Sequence, residues 1–145
     1  MRKYIVTAEN TNRPKTLYSI DIFADEAETS EDIRLITFIK QYRFEGRDKS
    51  YLKAFQSLRD QALNCGFGIR CCGSLINIMQ MEEFSKTNII FIIDADNPAD
   101  YGKVASIFDY AIPPRYYLTY KQEEYQLKWR RAVKKYNRKL KEEQK

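Results

Sequence analysis

Histidine is absent from this 145-residue chain, and that absence removes more chemistry than any motif supplies. Without imidazole there is no Ser-His or Cys-His nucleophile pair, no imidazole acid–base step and no histidine-bearing zinc site. Any reaction must run on carboxylates, Lys, Tyr, Cys or a divalent cation, and a hard ion such as magnesium or manganese suits an all-oxygen site. Cysteine is scarce: Cys65, Cys71 and Cys72 form an odd set without metal-knuckle spacing. That argues against a disulfide framework and for small core residues. No apolar run approaches the roughly 20 residues that cross a bilayer. The N-terminus, Met1-Arg2-Lys3-Tyr4-Ile5-Val6, has no signal-peptide apolar region. The expectation is a cytoplasmic protein without a membrane partner. Internal repeats are missing, and the one biased segment is a basic tail.

What is present belongs to a folded protein. Hydrophobic residues make up 43% and aromatics 14%, including 11 Tyr and 8 Phe, which excludes disorder as the overall state. The length accommodates one domain with a genuine core and not two. The formal charge of +5 is unevenly placed. From Tyr120 onward ten Lys and Arg face four Glu, giving +6, so the preceding residues carry −1. In that tail Tyr125, Trp129, Val133, Tyr136 and Leu140 recur every three or four residues, one stripe of an amphipathic helix. Lys128, Arg131, Lys135, Arg138 and Lys139 lie off the stripe and are the candidate nucleic-acid contacts; the alternative is a solvated basic face whose cations complement the helix dipole. They are expected to meet phosphates rather than bases. Residues 120–145 thus read as a basic helix packed on a domain of residues 1–119.

Along that domain, residues 3–8 and 16–24 alternate apolar and polar side chains around a turn-rich loop, predicting an antiparallel hairpin. Thr29-Ser30-Glu31-Asp32 reads as a helix start, with Ile33, Leu35, Ile36, Phe38, Ile39 and Tyr42 on one broad face, and Gly46 stops or redirects the chain. A second helix is predicted from Asp48 or Ser50 to Asn64-Cys65-Gly66. Next come a strand at 67–72, a helix opened by Gly73-Ser74, an apolar strand at 89–93, and a helix capped by Asn97 with Pro98 at its first position. Ile112-Pro113-Pro114 ends that helix, and residues 116–119 read as a strand. This alternation predicts an α/β fold: an N-terminal β-hairpin, then alternating helices and a mostly parallel sheet, closed by the basic C-terminal helix.

The apolar run Ile89-Ile90-Phe91-Ile92-Ile93 ends in Asp94-Ala95-Asp96. In a parallel sheet the crevice lies beyond the carboxyl ends of such strands, and residues two apart in an extended chain face the same way. Two converging carboxylates can hold a magnesium ion that binds phosphate or activates water. The competing role for the same residues is turn and cap formation. Glu45-Gly46, followed by a helix, and Asp94-Ala95-Asp96, also followed by a helix, together resemble the Toprim domain of topoisomerases, primases and related nucleases. That resemblance covers roughly residues 38–119. It implies an acid–base role for Glu45 and magnesium ligation by Asp94 and Asp96. Gly73-Ser74 offers amides to a phosphate only if its helix forms, and tight-turn duty is the alternative.

The expected function is association with nucleic acid or a phosphate-rich substrate, with magnesium-dependent phosphodiester chemistry at Asp94 and Asp96. The alternative is a non-catalytic binding or inhibitor module, of mobile-element type, that docks on a protein or nucleoprotein complex through Tyr and Arg.

Overall fold

The computed structural model describes residues 1–26, 31–100 and 102–144. Its main layer is a curled five-stranded antiparallel sheet. Strands β1 (Arg2–Asn10) and β2 (Leu17–Asp25) form the expected hairpin, with Val6, Ala8, Ile20, Ile22 and Ala24 inward. Asn10 sets its turn, the carboxamide oxygen accepting from the Asn12 and Arg13 amides at 2.9 and 3.2 Å. Strands β3 (Ile33–Ile39) and β4 (Tyr42–Asp48) continue the meander, and β5 (Phe67–Arg70) pairs with β1, giving the order β4-β3-β2-β1-β5.

Helix α1 (Tyr51–Asn64), which connects β4 to β5, packs against β3, β4 and β5 and buries Tyr51, Leu52, Phe55, Leu58 and Ala62. Its start is closed by Ser50, whose hydroxyl accepts from the Lys53 amide. Gln80 accepts from the Leu52 amide at 3.1 Å. The helix ends as its sequence predicts, at Gly66 in a left-handed conformation with φ 92°. Helix and sheet approach closely at Gly46, where an added Cβ would fall 1.8 Å from the Ala54 carbonyl oxygen. Gly46 therefore does not stop the chain; it lets α1 lie directly on β4.

The second layer is a three-stranded antiparallel sheet ordered β6 (Ile78–Met79), β7 (Ile89–Ile92) and β8 (Lys103–Ser106). Helix α2 (Thr119–Glu143) packs its first half across β6 and α1. Among the described residues no helix is long and apolar enough to cross a membrane.

The mostly parallel sheet of the sequence reading is thus overturned: every strand pair is antiparallel. Residues 33–42 show why. Ile33, Leu35, Thr37 and Ile39 are sealed at 0–1% exposure, whereas on the other face Ile36 keeps 9%, Arg34 is half-buried and Phe38 is exposed, a period of two that the helical reading absorbed into one broad face. A two-residue turn with Lys40 at φ 54° then reverses the strand into β4. The proposed helix start at Thr29-Ser30 lies outside the described residues. Gly73-Ser74 belongs to a single 3-10 turn (Cys72–Ser74), not a longer helix, and residues 116–118 are irregular. No helix begins at Asn97 either. Turns at 95–96 and 98–99 and Gly102 at φ 81° lead straight back into β8, so β7 and β8 are a hairpin and not a βαβ unit.

Candidate nucleic-acid interface and the carboxylate turn

Helix α2 forms because nothing interrupts it. From Arg115 onward there is no Gly or Pro, and Lys, Arg, Glu, Gln and Leu are strong helix formers. Its first amides are anchored by the body. The Asp60 carboxylate accepts from the Thr119 amide at 3.1 Å, placing negative charge at the positive end of the helix dipole. Arg59, 1% exposed, donates to Asp60, to the Gly73 carbonyl at 3.2 Å and to the Thr119 hydroxyl at 3.0 Å. Burial pulls its guanidinium below the ordinary range and the Asp60 charge pulls it back. Gln122, fully buried, donates to the carbonyls of Gly73 at 2.9 Å and Leu75 at 2.7 Å and accepts from Gln56 at 2.9 Å. One turn on, Gln126 donates to the Ile78 carbonyl at 3.1 Å. This buried polar network was missed from sequence, although Arg59 and Gln122 announce it: both are polar side chains in phase with an apolar stripe.

The stripe docks as far as its aromatic centre. Trp129 is buried among Ile93 and Ala95, with Tyr125, Val133, Met79 and Phe91 partly buried around it. Its indole N–H meets no acceptor among the described residues. Beyond Val133 only Tyr136 keeps partial cover, and residues 137–144 are exposed. The helix therefore leaves the body about halfway along its length.

The cations lie on the far side. Lys128, Arg131, Lys135, Arg138 and Lys139 are all exposed. At 3.6 residues per turn they fall within roughly 100° of the helix circumference. Between Lys128 and Lys141 there are eight Lys and Arg and no carboxylate. Among the described residues the one α2 ion pair is Lys121 with Glu124, outside that stretch.

The three predicted carboxylates are not gathered. Asp94 and Asp96 are exposed in the β7–β8 loop, where the Asp94 Oδ1 accepts from the Asp96 amide at 2.9 Å. The Ala95 amide between them donates to the Tyr125 hydroxyl of α2 at 3.0 Å, which seats this turn against the basic helix. Glu45 lies on the other sheet, in the middle of β4. Its carboxylate stands 3.6 Å from both Arg34 and Arg43, and its amide and carbonyl are bound by Gln61 of α1. Among the described residues no group of three or more His, Cys, Asp or Glu is placed to hold a metal ion.

The remaining candidates are structural. The Gly73 amide is taken by the Ile107 carbonyl and that of Ser74 by Cys71, so neither faces a phosphate. Cys71 and Cys72 are buried, and burial pushes the Cys71 thiol up to about 12, which keeps it protonated and unreactive. Compared with protein-family models and with curated proteins, the sequence matches none.

Proposed function

We propose that this chain is a nucleic-acid-binding protein whose binding element is the outward face of α2. The observation that carries the reading is the set of eight cations between Lys128 and Lys141, with no carboxylate among them, on the exposed side of a helix anchored by its opposite side. A solvated face alone needs no such segregation, and the excess is larger than the last-turn cations that complement a helix dipole. Binding of this kind releases counterions. With six phosphate contacts, log affinity falls against log salt with a slope of about −5, or roughly a thousandfold between 0.05 and 0.2 M. Fluorescence anisotropy with a labelled duplex measures it. Lys134→Glu, Lys135→Glu and Lys139→Glu together should flatten the slope by about 3. No salt-dependent affinity, or an unchanged slope in the triple variant, would return α2 to a solubilising role and favour a protein-docking module.

A second reading is supported by the Ala95 contact with Tyr125, which sets two exposed carboxylates beside the same helix. Here magnesium at Asp94 and Asp96 would assist phosphodiester chemistry on the bound strand. Magnesium should then raise the melting temperature by mass action, and Asp94→Asn with Asp96→Asn should abolish the rise. An equal rise in the double variant, or none in the wild type, sinks it.

A further inference from the structure

The order of residue types around α2 specifies more than a charged surface. Placed at about 100° per residue, Arg131 and Arg138 fall within roughly 20° of each other, on the side opposite Trp129 and the docked stripe. Lys128, Lys135 and Lys139 lie roughly 50–90° to one side of that crest. Arg130, Lys134 and Lys141 lie a similar angle, roughly 50–90°, to the other side. The helix thus carries a two-arginine crest between two cationic flanks, five of whose six members are lysines. Glu124 and Glu142 lie near the crest azimuth beyond its two ends and confine the array to the stretch between them.

We infer that α2 enters the major groove of duplex DNA, with Arg131 and Arg138 on base edges and the two flanks on the two phosphate backbones. The inference rests on the reading of α2 as a nucleic-acid-binding element. An α-helix with side chains is about 10–12 Å across and the B-form major groove about 12 Å wide, so a helix lying in it has a phosphate chain on either hand. Lysine, a flexible point charge, suits those chains. Arginine, a planar fork, suits the O6 and N7 acceptors of guanine, and it occupies the position facing the groove floor. Seven residues separate the arginines, about 10.5 Å along the axis and close to three base-pair steps. Their reach is unobstructed because the body lies on the opposite side: Gln122, Tyr125, Trp129 and Val133 face the domain. Duplex RNA is excluded as an equal partner, since its major groove is too deep and narrow for side chains to read.

The test is selection by the full-length protein from a DNA duplex pool with a randomised centre, followed by anisotropy on the enriched sequence. Guanines about three base pairs apart should be enriched, and the selected duplex should bind at least tenfold more tightly than the starting pool. Replacing those guanines by 7-deazaguanine, which removes the N7 acceptor and leaves the phosphates intact, should weaken binding roughly five- to hundredfold. Arg131→Lys with Arg138→Lys keeps the charge and the exposed helix. It should erase that discrimination while leaving the salt slope unchanged. Salt-dependent binding without enrichment, or an RNA duplex bound as tightly as the DNA, overturns the groove inference and leaves the phosphate-binding reading standing. No salt-dependent binding to any duplex overturns both.

Discussion

At the residue scale, two positions show how the same side-chain type serves the fold in different ways. Trp129 fills the space between Ile93, Ala95 and Val133, and at 7% exposure its value is packing and not base stacking. Trp129→Ala should cost about 3–5 kcal/mol by denaturant titration, as truncations of packed aromatics do. A variant of unchanged stability that had lost nucleic-acid affinity would make Trp129 a contact residue instead. Tyr116 holds a polar latch. Its hydroxyl donates to Glu9 Oε1 at 2.6 Å, and Arg70 reaches the Glu9 Oε2 at 3.1 Å. The Tyr116 hydrogen bond, more than any other influence, holds the Glu9 carboxyl below its usual range, with the Lys15 amide and Arg70 adding to it. A carboxyl lowered in the folded state contributes stability that is present above its unfolded value, near 4.3, and is lost as pH falls through the folded one. Glu9→Gln should therefore make the melting temperature less dependent on pH below about 4.3, near the unfolded value for Glu. An identical acid profile in the variant would show that the latch contributes nothing to folding.

Elements were legible where one pattern had one interpretation. The β1–β2 hairpin with its turn-rich loop and α1 with its Ser50 start and Gly66 stop carry both a periodic apolar face and punctuating residues, and α2 carries its stripe on a stretch free of Gly and Pro. Residues 33–42 place apolar side chains at Ile33, Leu35, Ile36, Phe38, Ile39 and Tyr42, a spacing that both periods fit; the β-branched Ile33, Ile36, Thr37 and Ile39 were the better guide. The run at 89–93 was correctly a strand, but whether the chain returns by a helix or a hairpin is decided by Gly102, whose left-handed φ turns it back beside β7. An added Cβ there would meet the Ile92 carbonyl oxygen at 1.7 Å. Of the candidate site, the cationic face was legible because helical periodicity alone specifies it. The separation of Glu45 from Asp94 was not, because it follows from which strands share a sheet. The two halves of α2 supply a check at this scale. A helical segment without tertiary contacts is marginal in water. Backbone amides from Gln122 to Trp129 should accordingly exchange slowly, and those of residues 137–144 faster by several orders of magnitude. Uniform protection along α2 would mean that its outer half is covered in solution.

On the scale of the whole molecule, the charge distribution and the mounting of α2 are one design. Residues 1–119 together carry −1 and residues 120–145 carry +6, and the polar clamp of Arg59, Asp60 and Gln122 fixes the start of α2 against α1 and the 72–75 turn. Fixing one end of a binding helix lowers the entropy lost when it meets a partner. The outer half contributes charge and little packing, so the two roles separate at Val133. A chain ending at Val133 loses six Lys and Arg and two Glu, which takes the formal charge from +5 to +1. It keeps Trp129 and every hydrogen bond between α2 and the body named above. Its melting temperature should fall by only a few degrees, since no large buried side chain is removed. Its affinity for duplex DNA should drop far more, because five of the eight cations between Lys128 and Lys141 are gone. Gross unfolding of this chain would show that the outer half packs on something the body requires. Retention of full, salt-dependent affinity would move the binding surface off the outer half of α2, toward the cations that line the groove of about 1080 Å³ beside the α1 N-terminus, among them Arg47, Lys49, Lys53 and Arg130.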